Sequence, residues 1–519
     1  MAIRSRKGCI SCKQAKIKCD EVHPTCGTCA RRRRPCSGYS GSASGHVFSP
    51  RRSSTTRAGA KRRMSATSDT SSTITTQTPD HGQNDEKAII HTRNSTTCPN
   101  AADYMKSMIL QASTEAPSII RGPCLISLNE VLAADKAFIE VYFMRHPSEM
   151  IMDNDFFVQE MNGAVISLLQ QSPTAVGDSL AAIGESYVKD SMDLALVLNR
   201  KMRLLRRLRL INEDGSNPEL VLMLLLALCG VELVDPRSDD GGTALSALIA
   251  NASIILEVYR RQGKKLNGMA KYFVRGLARQ DLLISLSRMQ RTKIDPHIWL
   301  DEYSMSHADR LMGFTTTLAP ILSKLSALAE DVSFALDNRS ITDRKYDTAE
   351  STLDDIAVEY SYLLEREAAI RAQLMAWRPI RDSSMSIQVS QKFILHAYAW
   401  RAAALLYLFR LFNRPGSSTK ADTEALSMAY EIVAQISGSP QEIKLCLWPL
   451  FIAACEVERP EDRLHVSRLF DDIHQARPMA TTRRTKSFCV EQVWPARDSG
   501  ANWDWMFLTR TACNGPISL

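Results

Sequence analysis

The 519-residue sequence contains no apolar run long enough to cross a membrane. Its most apolar stretch, Leu220–Val231, covers 12 residues, whereas a transmembrane helix needs about 20. The first residues, MAIRSRKGC, also lack the apolar segment of a secretory signal peptide. We therefore expect an intracellular protein with no membrane partner, and we interpret Leu220–Val231 as a buried helix.

Acidic residues are scarce in the first part of the sequence. Residues 1–64 contain 16 Lys and Arg but only 2 Asp and Glu, a balance of +14. The remaining residues carry a balance of −7. A strongly basic head on a mildly acidic body is typical of a protein that binds nucleic acid.

Recognisable catalytic motifs are absent as well. The sequence has no G-x-x-x-x-G-K-[ST] loop, no G-x-S-x-G elbow and no H-E-x-x-H pair. We therefore predict that the protein is not an enzyme. A pocket for a small-molecule effector in the body of the chain stays open as an alternative, although the sequence does not indicate its lining residues.

Apolar residues are too few to build a core between the head and the body. Ten Ser and Thr fall among the fifteen positions of 65–79. This composition predicts a disordered linker over residues 41–124, between a head of residues 1–40 and a body of residues 125–519.

The body contains many segments in which apolar residues recur every three or four positions, whereas strand-like alternation is scarce. This period predicts α-helices, and the body is therefore expected to be all-α. The clearest segments are Ala133–Met144, Leu180–Val188, Met192–Ile211, Leu245–Tyr259, Glu367–Trp377, Phe393–Phe412 and Leu426–Ile436.

Six of the thirteen cysteines lie close together in the head. Their spacing, C-x2-C-x6-C-x6-C-x2-C-x6-C, repeats after 17 residues and involves Cys9, Cys12, Cys19, Cys26, Cys29 and Cys36. Such a cluster in an intracellular chain favours metal over disulfides. Because a structural zinc takes four ligands, six thiolates serve two zinc ions only if two of them bridge. The repeat indicates Cys9 and Cys26 as the bridging pair, so two Zn²⁺ per chain are predicted.

The head is too small to fold on apolar burial alone, so metal must supply its folding free energy. Each half is expected to form a short helix from its second cysteine towards its third. His23 is a rival ligand, but six cysteines already suffice and we expect it in a loop. The other seven cysteines show no ligand spacing and are expected to be reduced, mostly buried thiols.

Basic residues are concentrated on the two expected helices of the head. Lysine in the major groove donates to guanine O6 and N7, and the remaining charges can hold phosphates. The predicted partner is therefore double-stranded DNA, contacted by Lys13, Lys16, Lys18, Arg31, Arg32, Arg33 and Arg34. The four arginines, with Arg51-Arg52 and Lys61–Arg63, also suit a nuclear import signal, and both roles stay open.

The head segment GCISCKQAKIKCDEVHPTCGTCARRRRPCSGY resembles the fungal binuclear zinc cluster (Zn2Cys6) transcription factors. The six spacings, the Lys18-Cys19-Asp20 step and the proline before the fourth cysteine carry the resemblance. It implies a nuclear regulator of RNA polymerase II transcription that reads CGG-type triplets, mainly through Lys16, and that engages the transcription machinery. Control of a metabolic or biosynthetic gene set is a further family expectation.

The body resembles the fungal-specific regulatory domain attached to many of these factors. The matching landmarks are expected to be helix-packing positions, and they are Leu226–Val234, Leu374–Pro379, Ala397–Leu411, Trp448–Glu458, Val493-Trp494, Trp503 and Trp505. The whole chain is thus predicted to be all-α, with a zinc-cluster module, a disordered linker and a large helical regulatory domain.

Dimerisation is not decided by the sequence. Residues 37–100 show no sustained apolar heptad, so we expect no coiled coil after the cluster. Binding to DNA as a monomer and homodimerisation through the helical body both stay open.

Overall fold

The computed structural model describes seven residues of the head and most of residues 131–511. In the second stretch the gaps are residue 132, residues 189–193, 215–216, 235–242 and 343–350, and residue 441. The chain falls into two units, Met1–Arg93 and Asn94–Leu519, which we describe separately. The linker predicted for residues 41–124 lies outside the described residues. The described residues of the head are Ser11, Cys12, Cys26, Thr28, Cys29, Arg32 and Cys36.

The described part of the second unit is built from seventeen α-helices, and its residues form no β-strand. This confirms the predicted all-α class. The helices are α1 Ala133–Met150, α2 Asp155–Gln171, α3 Pro173–Ser186, α4 Leu194–Asp214, α5 Pro218–Val234, α6 Thr243–Arg261, α7 Gly268–Arg288, α8 Glu302–Ser306, α9 Ala319–Thr342, α10 Ser351–Ala376, α11 Ile387–Phe412, α12 Thr419–Ser437, α13 Leu447–Glu456, α14 Pro460–Ala476, α15 Ala480–Phe488, α16 Trp494–Asp498 and α17 Trp505–Thr511.

Every helical segment predicted from the apolar period overlaps one of these helices, but the period does not locate the helix ends. Side-chain caps set two of them. The Asn154 side chain accepts a hydrogen bond from the Phe156 backbone N–H at the start of α2. Asn267 does the same for Ala270 at the start of α7. Such caps satisfy backbone donors that have no partner within the helix.

The apolar run noted in the sequence becomes helix α5, which is buried along nearly its whole length. It packs against α3, α4, α6 and α7. A helix that is apolar on all sides is stable in water only when other helices cover each of its faces. The prediction of a buried helix at Leu220–Val231 is therefore confirmed, and α5 organises the N-terminal half of the body.

Helix α11 has the corresponding role in the C-terminal half, where it packs against α12 and α13. Its Trp400 ring stacks on Trp448 of α13 with centroids 5.3 Å apart. Its Tyr407 hydroxyl donates to the Leu286 carbonyl of α7 over 2.7 Å. The landmarks around Trp400 and Trp448 are thus packing residues, as predicted.

A fully buried ion pair joins four helices of this half. The Arg410 guanidinium on α11 contacts the Glu456 carboxylate of α13 at 2.5 and 2.9 Å and Asp422 of α12 at 2.9 Å. Trp505 of α17 donates its indole N–H to Glu456 over 2.8 Å. Because Arg410 and Glu456 are both 0% exposed, neither charge has water to replace its partner.

We predict that Glu456→Ala strongly destabilises the body, because it leaves the Arg410 charge buried beside Asp422 alone. Removing one partner of a buried pair costs about 3–5 kcal/mol. Urea unfolding of the full chain, followed by circular dichroism, measures the loss. Glu257→Ala is the matched control, since the half-exposed Glu257 pairs with Arg260 and Arg261 on the surface of α6. An equal, small effect of both variants would contradict the role given to Arg410 and Glu456.

Helices α1 and α3 approach each other so closely at Gly184 that no side chain fits there. A Cβ atom at this position would lie 1.9 Å from the Phe138 carbonyl oxygen. At Gly163 of α2, by contrast, a Cβ atom would meet nothing within 4 Å. Close helix packing therefore requires glycine at position 184 but not at position 163.

Gly184→Ala is expected to lower the free energy of unfolding by at least about 2 kcal/mol, because the backbones of α1 and α3 must move apart. Gly163→Ala should instead raise it by up to about 1 kcal/mol, since alanine is the better helix former. Thermal unfolding of both variants tests the pair. A Gly184→Ala chain as stable as wild type would show that α1 and α3 are not in this close contact.

Candidate metal centre

Three cysteines of the head come together in the structure although they are up to 17 positions apart. The Cys12 sulfur lies 3.6 Å from that of Cys26 and 3.7 Å from that of Cys29. All three sulfurs lie within 4.8 Å of one another. Cys12, Cys26 and Cys29 are 0–2% exposed, so the group is closed to water.

The C-x2-C spacing explains the local geometry of the second half. Thr28 and Cys29 are helical, and the Cys29 backbone N–H donates to the Cys26 sulfur over 3.2 Å. Cys26 thus occupies the position of a helix N-cap, where a side-chain acceptor receives a free N–H of the first turn. Such a hydrogen bond stabilises a thiolate over a thiol, which favours metal binding.

Cys36 lies beside the same group. Its sulfur accepts a hydrogen bond from the Cys26 backbone N–H over 3.5 Å, and its side chain is half-buried. The chain turns directly after Cys29, where the Arg32 N–H donates to the Cys29 carbonyl over 3.2 Å. The structure therefore brings together four of the six cysteines that the spacing singles out.

The sulfur group fits zinc. Zinc–sulfur bonds are about 2.3 Å long in a tetrahedral site, which places ligand sulfurs about 3.8 Å apart. The measured separations of 3.6 and 3.7 Å around Cys12 are close to this value. The donor set is also suitable, because thiolates are the usual ligands of structural zinc.

Of the remaining predicted site residues, the structure describes one. Arg32 is described and exposed. The other predicted ligands and DNA contacts lie outside the described residues, and they are Cys9, Cys19, Lys13, Lys16, Lys18, Arg31, Arg33 and Arg34.

Four of the scattered cysteines are buried in the helical body, as predicted: Cys229, Cys446, Cys455 and Cys489. Burial raises the pKa of the Cys229, Cys446 and Cys455 thiols well above the usual range. A protonated thiol is a poor metal ligand. Cys98, Cys124 and Cys513 lie outside the described residues.

Comparison with known families now gives two matches. The fungal Zn(2)-Cys(6) binuclear cluster domain matches residues 7–45, which include the sulfur group. The fungal specific transcription factor domain matches residues 162–516, most of the helical body. The chain belongs to this family of fungal transcription factors. Family membership implies zinc binding, and it agrees with the prediction that the chain is not an enzyme, because transcription factors are not enzymes.

Curated relatives resemble the chain over short segments. They include a Zn(2)-C6 fungal-type transcription factor of Gibberella zeae, 64% identical over 33 residues, which are 6% of this chain and 7% of the relative. White-opaque regulator 2 of Candida albicans is 50% identical over 36 residues, 7% and 8% of the two chains. The aspercryptin biosynthesis cluster-specific transcription regulator atnN of Emericella nidulans is 50% identical over 36 residues, 7% and 6%. The chain thus spans less than a tenth of each relative's length.

No solved structure was found to match the chain. Among the described helices, none combines the length and the apolar character that crossing a membrane would require.

We predict that Cys29→Ser lowers the zinc content of the purified full-length chain, because it removes one sulfur from the Cys12 and Cys26 group. Elemental analysis by mass spectrometry measures zinc per chain. Cys229→Ala is the matched control, since burial keeps the Cys229 thiol protonated in the apolar helix α5. Unchanged zinc in Cys29→Ser, or an equal loss in both variants, would contradict the assignment of the centre.

Proposed function

We propose that the chain is a sequence-specific, DNA-binding regulator of RNA polymerase II transcription that acts in the nucleus. The observation that supports this proposal most directly is the closed group of Cys12, Cys26 and Cys29 sulfurs within a segment that matches the binuclear cluster family. The basic charge of the same segment indicates double-stranded DNA as the partner.

The cluster is proposed to hold two zinc ions between the six cysteines, with Cys9 and Cys26 as bridging ligands. The position of Cys26 supports this arrangement, because its sulfur lies near Cys12 of the first half and Cys29 of the second half. A bridging thiolate must reach ligands of both ions. Bound zinc supplies the folding free energy that the short head cannot obtain from apolar burial.

DNA recognition is assigned to the first helix of the head, which includes Cys12. Lys16 is proposed to donate to guanine O6 and N7 of a CGG-type triplet in the major groove, with Lys13 and Lys18 flanking it. A helix fixed by thiolates at the cluster presents these ammonium groups in one orientation, so that the correct bases gain hydrogen bonds and others do not.

The arginines of the second half are proposed to contact phosphates. Arg32, which is exposed, belongs to this set with Arg31, Arg33 and Arg34. Phosphate contacts position the protein on DNA and make its affinity depend on salt, but they carry no sequence information. The same arginines, with Arg51-Arg52 and Lys61–Arg63, are proposed to act in nuclear import.

The helical body is proposed to regulate this activity and to contact the transcription machinery. The match of the fungal specific transcription factor domain over residues 162–516 supports a regulatory role. One relative is described as a regulator specific to a biosynthesis cluster. We extend this to a proposal that the chain controls a metabolic or biosynthetic gene set.

We predict that Lys16→Ala lowers affinity for a CGG-containing duplex by ~1–3 kcal/mol and reduces the preference over a scrambled duplex. Fluorescence anisotropy of the full-length, zinc-loaded chain measures both across a salt series. Arg33→Ala, a proposed phosphate contact, should weaken binding to all duplexes alike and reduce the salt slope by about 1.

Lys420→Ala is the matched control for these variants, since Lys420 is an exposed lysine at the start of α12 in the body. It should change neither affinity nor selectivity. Equal binding of wild type and Lys16→Ala to every duplex would contradict base readout by Lys16. Loss of selectivity in Arg33→Ala alone would assign readout to the second half instead.

A further inference from the structure

The helical body contains an open pocket of about 510 Å³ between α2, the start of α7 and the short helix α8. This volume lies within the range of small-molecule sites in proteins. The pocket is lined by residues from positions 156 to 303, so that three separate parts of the chain form it. It is distinct from the zinc centre, which belongs to the other unit.

Two glycines keep this pocket open. Gly163 of α2 and Gly268 of α7 both line it, and a Cβ atom added at either one would meet nothing within 4 Å. The helices therefore do not need glycine at these positions for close packing. In the middle of α2, glycine lowers helix stability relative to alanine. The absence of a side chain at Gly163 leaves this part of the pocket empty.

Aromatic rings form much of the wall. Phe156 and Tyr303 line the pocket while remaining 56% and 47% exposed. Tyr272 also lines it, and its buried hydroxyl has no hydrogen-bond partner among the described residues. Aromatic side chains lining a concave pocket are typical of a small-molecule site.

Two of the charged residues at the pocket already have partners. Arg275 donates to Asp309 over 2.8 Å, and Asp301 accepts from Lys271 over 2.8 Å. Nearby Arg310 is fully buried, lies 3.5 Å from the centroid of the Tyr272 ring and does not line the pocket. These groups offer little to an additional charged ligand.

Glu160 differs from them. Its half-buried carboxylate lines the pocket and makes no hydrogen bond or ion pair with the residues that the structure describes. Burial raises the pKa of this carboxyl group; the charges of Arg310 and Arg275 oppose the effect, and that of Asp309 adds to it. A carboxylate that loses water without gaining a donor is destabilised, and a bound cation would relieve this cost.

We propose that this pocket binds a small organic amine, whose ammonium group pairs with Glu160 and whose apolar body lies between Phe156, Tyr272 and Tyr303. Aromatic faces attract cations in addition to apolar groups, so the carboxylate and the rings select the same ligand. The pocket gives the regulatory body a site for a chemical signal, and amine binding is measurable without DNA.

The test is isothermal titration calorimetry on the full-length, zinc-loaded chain with three indoles of similar shape. Tryptamine is cationic, 3-methylindole is neutral and indole-3-acetate is anionic. Tryptamine is expected to bind about tenfold more tightly than 3-methylindole and more tightly still than indole-3-acetate. Phenethylamine, a smaller aromatic amine, repeats the test with a different ring.

Two pairs of variants connect binding to this pocket. Gly163→Leu fills the space and should abolish binding of every probe, whereas Ala137→Leu adds the same side chain at an exposed position of α1 and should change nothing. Glu160→Gln removes the charge and should weaken amine binding about tenfold without affecting 3-methylindole. Glu140→Gln removes a charge from α1, outside the pocket, as its control.

Circular dichroism melting curves establish that each variant is folded, and Glu160→Gln keeps the shape of the pocket in any case. The proposal is overturned if neither amine binds, or if Gly163→Leu leaves amine binding intact. It is also overturned if Glu160→Gln retains the preference for amines over neutral probes. Because the calorimetry contains no DNA, absence of amine binding would not contradict the proposed DNA recognition. Failure of the DNA-binding test would likewise not contradict amine binding.

Discussion

Metal–thiolate bonding is the constraint on which the fold of the head depends. The head has few apolar residues, so apolar burial cannot supply its folding free energy. The structure brings the Cys12, Cys26 and Cys29 sulfurs within 4.8 Å of one another, and the Cys29 N–H donates to the Cys26 sulfur. Charge and fold are linked here, because the segment that holds these cysteines is also strongly basic.

The helical body is stabilised by the opposite means. Its helices pack around apolar segments such as α5, and one of their ion pairs is completely buried. The Arg410–Glu456 pair joins α11 to α13 without water, so its geometry is fixed by the packing around it. Different interactions thus stabilise the two units.

The sequence predicted those features that depend on local patterns. A long apolar run located α5 and the period of apolar residues located α11, while the spacing of cysteines grouped Cys12, Cys26 and Cys29, which the structure brings together. The ends of the helices and the contacts between distant residues were not predictable in this way. Arg410 and Glu456 are 46 positions apart, and no local pattern pairs them. The pocket likewise depends on Gly163 and Gly268, which look unremarkable in the sequence and acquire a role only when α2 and α7 come together.

The most direct test of the account is to remove zinc from the full-length chain while DNA binding and body stability are measured on the same sample. We predict that a strong chelator abolishes selective binding to a CGG duplex, that added zinc restores it, and that the thermal transition of the helical body is unchanged. Selective binding that persists without zinc would contradict the central claim, because the basic helices would then be held in place by something other than the cysteines.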